Sequence, residues 1–269
     1  MTSVLLVGCG KMGGALLAGW RANNAADSFV VVEPMQQSLT DILGVSGVTV
    51  VKEFSEIPGD FKPNAIVMAV KPQAMNEVAP PYADLAKSAL TLSIAAGTPI
   101  AFFEKIFGAD AAIVRAMPNT PAAIGRGMSV LCANAAASDG QKNLSEVLMQ
   151  AAGAVEWISD EGLMDAVTAL SGSGPAYVFH LIEAMAAAGQ ALGLDAELAA
   201  KAALETVAGA GELARQARET PSVLRQNVTS PGGTTAAALS VLMAENGMSK
   251  LMEKAMTAAR DRGRELASN

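Results

Sequence analysis

Short apolar runs punctuate the first 160 residues, each bounded by glycine, proline or charge. Ser3-Val4-Leu5-Leu6-Val7 comes first, followed by runs at 29–33, 48–51, 65–70, 90–94 and 112–117. Unbroken apolar runs of this length, without polar alternation, predict strands buried on both faces of a parallel sheet. Segments with helical spacing lie between them, beginning with Ala15-Leu16-Leu17-Ala18-Gly19-Trp20. Two later runs, 128–132 and 155–158, predict strands on the far side of the same sheet.

Past Asp160 the pattern changes. Strand-like runs stop, and long Ala/Leu/Met segments predict helices over 163–170, 176–192, 196–214 and 249–264. Phe179, Ile182, Met185 and Ala186 share one face of the second of these. Ser171-Gly172-Ser173-Gly174-Pro175 is expected to interrupt the chain before it. Asp195 is placed to cap the third helix, Arg215 and Arg218 suit its C-terminal end, and Glu219-Thr220-Pro221 marks the break after it. The expectation is a doubly wound α/β domain over 1–160 followed by an all-helical domain over 161–269.

Composition sharpens this. With 269 residues the chain can bury two cores, and with 51% hydrophobic but only 4% aromatic residues those cores must be built from Ala, Leu, Val and Met. Small side chains suit close helix packing or a helical dimer interface. A net charge of −7 argues against a nucleic-acid surface. Cys9 and Cys132 are too few for a disulfide framework, and no Cys/His cluster offers a metal site. No apolar stretch is long enough to span a bilayer. The N-terminal run lacks a basic leader and is interrupted by glycines, so a cytoplasmic location is expected. His180 is the only histidine; with Glu183 three residues on it forms either an acid/base pair or a partly buried histidine bonded to a helix neighbour.

Two stretches carry candidate chemistry. Gly8-Cys9-Gly10-Lys11-Met12-Gly13 follows the first strand and opens the first helix, the context in which GxGxxG reads as a dinucleotide site. The glycines make the tight turn, admit a pyrophosphate and let helix and strand pack closely. Glu33 ends the second strand about twenty residues past Gly13, where an acid accepts from ribose hydroxyls and repels a 2′-phosphate. No Lys or Arg appears in Pro34-Met35-Gln36-Gln37-Ser38 to offset that repulsion, so the local chemistry leans towards NADH. Ala69-Val70-Lys71-Pro72, closing the fourth strand, should border the cofactor, with Lys71 either a phosphate neighbour or a solvated loop charge. Ala95-Ala96-Gly97 is small enough for a flat ring to lie against the backbone. The second stretch is Asn227-Val228-Thr229-Ser230-Pro231-Gly232-Gly233-Thr234-Thr235 before an Ala-rich helix, with Ser230 and Thr234 as candidate caps. Unpaired N–H groups at such a helix start hold a carboxylate or phosphate.

The glycine stretch, Ala69-Val70-Lys71-Pro72, Ser93-Ile94-Ala95-Ala96-Gly97, Arg115-Ala116-Met117-Pro118-Asn119-Thr120-Pro121, Leu170-Ser171-Gly172-Ser173-Gly174-Pro175-Ala176-Tyr177 and Ser230-Pro231-Gly232-Gly233-Thr234-Thr235 together resemble the signature segments of pyrroline-5-carboxylate reductase. They stand in the family's order over nearly the whole chain. The resemblance implies an N-terminal Rossmann dinucleotide-binding domain and an all-α dimerisation domain, in homodimers or rings of dimers. It implies reduction of 1-pyrroline-5-carboxylate to L-proline, the last step of proline biosynthesis, with no metal. By position it assigns Thr235 to the substrate nitrogen and Ser230, Gly233 and Thr234 to the substrate carboxylate. Asn227 falls near the nicotinamide ribose and Ala96 against the nicotinamide amide. The family commonly uses NADPH and often carries Ser, Thr or Arg after the second strand; Glu33-Pro34 departs from that, which leaves NADPH and NADH both open.

Two rival readings make different demands. A hydroxyacid dehydrogenase of similar architecture needs a general base, typically a lysine on the first long helix of the second domain, and residues 173–194 contain none. A dinucleotide-binding sensor without turnover would have no need for a second anion-holding turn.

Overall fold

A computed structural model describes residues 1–35, 39 and 43–267. The first compact unit runs from Met1 to Gly172 and includes the end of the last helix from Arg260 on; the second is Ser173–Ala259.

The first unit is built on an eight-stranded sheet: β1 (Ser3–Val7), β2 (Ser28–Val32), β3 (Val48–Val51), β4 (Ala65–Met68), β5 (Leu90–Ser93), β6 (Ile113–Met117), β7 (Gly127–Ala133) and β8 (Gly153–Trp157). Their order is β3-β2-β1-β4-β5-β6-β7-β8. The first six are mutually parallel, β7 runs antiparallel to β6, and β8 runs parallel to β7. All eight predicted strands are present, most ending one or two residues from the expected bounds.

Alternation along each strand sorts side chains onto two buried faces. Val4, Leu6, Val67, Leu92 and Val114 face one core with Leu16, Leu17 and Trp20 of helix α1 (Lys11–Ala22). Leu5, Val7, Ile66, Met68 and Ile113 face the other. That second face is covered by α2 (Met75–Val78), α3 (Ala83–Ala86) and α4 (Ile100–Phe107), through Met75, Ala86 and Phe103. Trp20 is wholly buried, donates its indole N–H to the Leu148 carbonyl at 2.7 Å and stacks on Phe29. That bond ties α1 to α5 (Asp139–Gln150), whose start is closed by a reciprocal Ser138/Gln141 capping box.

One hydroxyl in this core has no partner among the described residues: Thr91 Oγ1, on a strand residue that is wholly buried. Thr91→Val is isosteric and removes the desolvated oxygen, so unfolding free energy should rise by about 1 kcal/mol. Urea titration of the two proteins measures this, and a loss of stability would show that the hydroxyl is satisfied.

From Glu161 the chain is helical. A single 3₁₀ turn leads into α6 (Met164–Val167) and a π-helical turn at Thr168–Gly172; Ser173 stays in helical conformation, and α7 (Gly174–Ala191) begins at once. The expected interruption at 171–175 is therefore a change of helical pitch, with Pro175 accommodated in the first turn, where its missing N–H costs nothing.

In the second unit α7 packs on α8 (Ala196–Gln216), close enough that a methyl on Gly189 would stand 3.4 Å from Ala199 Cβ. Asp195 caps α8 as expected, accepting from the Leu198 amide at 2.9 Å. Then come α9 (Pro221–Asn227), capped by Thr220, α10 (Thr234–Leu242) and α11 (Met248–Ala267). Within the chain only Ala199 and Ala203 of this unit are buried. The face predicted on α7 is only partly covered: Phe179 is 60% exposed and Met185 is exposed, while Ile182 and Ala186 are half-buried; Val178 and Leu181 beside them are also exposed.

Candidate active site

The sheet reverses its winding between β1 and β4, and the crevice at the carboxyl ends of those strands is where ligands of such sheets bind. Gly8 leaves β1 with φ +89°, a left-handed conformation that side chains disfavour, and its amide donates to the Val32 carbonyl. A Cβ here would meet Val70 Cγ1 at 2.8 Å and the Ala69 carbonyl group at 3.1 Å. At Gly13 it would come within 2.4 Å of the Gly8 oxygen and 3.4 Å of Ala69 Cβ. These contacts gather Gly8, Gly13, Ala69 and Val70 at one point.

Gly10 differs. It precedes α1, caps it without any side-chain bond, and has nothing within 4 Å of where a methyl would stand. The orphan N–H groups of α1 thus open onto space, with Lys11 exposed and Met12 half-buried in the first turn. This is a cradle that an anionic pyrophosphate fits.

Glu33 stands beside it. One carboxylate oxygen accepts from the Cys9 amide at 2.8 Å and the other from the Met35 amide at 3.0 Å, so the group is fixed at the rim by the glycine turn itself. Burial, then the Glu33 charge, push the Cys9 thiol up to about 11, leaving it protonated and inert at neutral pH. Pro34 follows in the open; Gln36, Gln37 and Ser38, which entered the charge argument, lie outside the described residues. Lys71 is exposed and opens the 3₁₀ turn starting at Pro72. Ala96 is exposed in the β5–α4 loop, beside Gly97 at φ +74°.

In the second unit Asn227 ends α9, and Ser230, Gly233, Thr234 and Thr235 follow within one tight turn. The Gly233 amide donates to the Ser230 carbonyl at 3.0 Å and Gly232 has φ +70°, with Pro231 before it. That is the pattern of a type II turn. The expected caps need correcting: the residue capping α10 is Gly233, and neither Ser230 nor Thr234 caps it through a side chain. The proline-glycine turn already sets the entry angle, so the hydroxyls are not used for capping. Ser230 and Thr234 are exposed and Thr235 half-buried. The orphan N–H groups at the start of α10 thus lie among hydroxyls, an arrangement suited to a small carboxylate.

His180 Nδ1 lies 3.2 Å from Glu183 Oε2, but both side chains are largely exposed, so the expected partial burial is absent. Among the described residues no group of three or more His, Cys, Asp or Glu is gathered to hold a metal, and no helix is long and apolar enough to cross a membrane.

Two clusters escaped the sequence reading. Asn119, just past β6, donates to the Ser171 carbonyl and hydroxyl and accepts from the Met128 amide, tying the π turn to the start of β7. Arg115 and Glu161 form a half-buried ion pair at 2.7 Å. Residues 52 and 46 apart in sequence give no local signal of either contact.

Comparison with known proteins bears on both units. Residues 161–266 match the family model for pyrroline-5-carboxylate reductase dimerisation, and residues 3–97 match that for NADP oxidoreductase, coenzyme F420-dependent. The chain is 41% identical to the pyrroline-5-carboxylate reductase of Pseudomonas aeruginosa, covering 98% of this chain and 96% of that one. Among solved structures it resembles a pyrroline-5-carboxylate reductase from Coxiella burnetii, with a TM-score of 0.91, 36% identity and 98% of each chain covered. It also resembles the Plasmodium falciparum pyrroline carboxylate reductase with NADP bound, with a TM-score of 0.81, 29% identity, and 99% and 98% covered.

Proposed function

The chain belongs to the pyrroline-5-carboxylate reductase family, and from that premise we propose how its residues divide the work of reducing 1-pyrroline-5-carboxylate to L-proline, the last step of proline biosynthesis. It is an NAD(P)H-dependent oxidoreductase acting on a cyclic imine. The observation that carries this is the match along 98% of the chain, which takes in both the glycine cradle and the hydroxyl-lined turn.

The bound cofactor supplies a hydride from its reduced nicotinamide. Gly8, Gly10, Lys11, Met12 and Gly13 would hold its pyrophosphate on the amides of α1. Ala69, Val70, Lys71 and Pro72 would border it, Ala96 would receive the nicotinamide amide, and Asn227 would serve the nicotinamide ribose. Ser230, Gly233 and Thr234 fix the substrate carboxylate, and Thr235 orients the ring nitrogen. A protonated imine is already electrophilic, so alignment does most of the work and no histidine base or metal is needed. The exposed apolar face of α7 supports pairing with a second copy, in a homodimer or a ring of dimers.

Initial rates with NADH and NADPH against pyrroline-5-carboxylate test this reading; no oxidation of either would end it. Glu33, held at the cradle rim by Cys9 and Met35, makes NADH the favoured donor. Glu33→Gln removes the charge and should move the NADPH/NADH ratio of kcat/KM about tenfold towards NADPH, the equivalent of about 1.4 kcal/mol. A wild-type enzyme strongly preferring NADPH, or an unmoved ratio in the variant, would refute the role of Glu33 while leaving the reaction intact.

A further inference from the structure

The loop between β5 and α4, residues 94–99, leaves the carboxyl edge of the strand beside β4, so it borders the cofactor crevice. One end is held by the strand ladder to β6 and the other by a half-buried carboxylate paired with that same neighbouring strand. Ser93, the last residue of β5, stands in register with Arg115 on β6. At the other end the Ile100 amide, first in α4, donates to Glu161 Oε1 at 2.9 Å. The same oxygen accepts from Arg115 Nη1 at 2.7 Å. Pro99 caps α4 without a side-chain bond, so Glu161 does the work of a helix cap from 61 residues away. The side chain of Arg115 is 9% exposed and that of Glu161 28%, which shields the pair from solvent screening.

We infer that Arg115 and Glu161 are positioning residues for hydride transfer: the Glu161 oxygen that accepts from both Arg115 and the Ile100 amide fixes the α4 end of the 94–99 loop against β6, and so sets where the nicotinamide lies. The inference rests on the reductase reading above. Neither side chain touches the reacting atoms. Adenosine and pyrophosphate are held elsewhere, by the glycine turn, so loosening the clamp should disturb alignment more than affinity.

Glu161→Asp tests this. It keeps the charge beside Arg115 but draws the carboxylate back by one methylene, so it cannot reach both partners, while Glu161→Gln keeps the length and an acceptor oxygen. In the free protein, hydrogen exchange at the Ile100 amide and across 94–99 should rise about tenfold for the Asp variant and stay near wild type for the Gln variant. With cofactor dideuterated at C4, the Asp variant should show kcat down about tenfold and a larger isotope effect. Its NADH dissociation constant, read by fluorescence, should stay within twofold of wild type, and the Gln variant should recover most of the rate. Unchanged exchange at Ile100 overturns the clamp. So does faster exchange with unchanged kcat and isotope effect, or a loss of rate shared by both variants and matched by lower melting temperature. A wild-type enzyme that oxidises neither cofactor counts against the reductase reading instead, and the exchange measurements still decide the clamp.

Discussion

Gly13→Ala is expected to lower NADH affinity at least 100-fold and to cost about 2–3 kcal/mol of stability. The added methyl would sit 2.4 Å from the Gly8 carbonyl oxygen, and that oxygen belongs to backbone held at φ +89° by β1 and by the Val32 carbonyl. It cannot rotate away as a side chain could. Helix α1 must therefore retreat from β1 and β4, carrying wholly buried Leu16, Leu17 and Trp20 with it. Overpacking at such a crossing costs ~1–3 kcal/mol, and loss of the Trp20 and Leu contacts adds to it. Retreat would also move the orphan amides of α1 away from the proposed pyrophosphate site, and a 100-fold loss is about 2.7 kcal/mol, within what one or two charge-assisted hydrogen bonds supply. Gly10→Ala is the companion. Its methyl meets no protein atom within 4 Å, so stability should hold while affinity falls because the methyl occupies the cradle. Fluorescence titration with NADH and urea unfolding on both variants separate the two effects. Affinity within threefold of wild type for Gly13→Ala would show that α1 is not where the pyrophosphate is held.

Legibility in the sequence followed the range of the interactions. Strands announced themselves because burial on both faces demands unbroken apolar runs, and Ser3–Val7 or Leu90–Ser93 is readable from its own residues. The glycine turn was readable because its glycines fall within six residues, although part of what crowds Gly8 and Gly13 comes from Ala69 and Val70. Contacts spanning the chain were not. The tie from Glu161 to Ile100 and Arg115 joins a connecting turn to a helix start and a central strand, and no spacing rule brings them together. Caps misled in a different way: Ser230 and Thr234 have the right chemistry, yet Pro231 and Gly232 had already set the turn, leaving Gly233 at the cap. The helical unit marks the other limit. Periodicity placed Phe179 and Met185 on one face of α7, but a pattern in one chain says nothing of whether that chain or another covers the face, and here they stay exposed.

The vacancy of the cap at α10 is what makes Thr235 testable. Thr235→Ala removes no capping bond, because Gly233 caps the helix without a side chain, and alanine is the better helix former inside the first turn. Stability should therefore stay within about 0.5 kcal/mol of wild type. Turnover should not. A hydrogen bond to a charged group contributes ~1.5–3 kcal/mol, so losing the hydroxyl proposed to orient the iminium nitrogen should cut kcat about 10- to 100-fold. In the proposed site the carboxylate is bound by Ser230, Gly233 and Thr234, so KM for the imine should change far less. Ser230→Ala should give the opposite split, raising KM with a smaller change in kcat. Thr235→Ser keeps the oxygen and should keep most of the rate. Steady-state kinetics on the three variants, with thermal melts alongside, decide the matter. Wild-type turnover in Thr235→Ala would take Thr235 out of the mechanism, and a melt lowered in step with kcat would make its role structural.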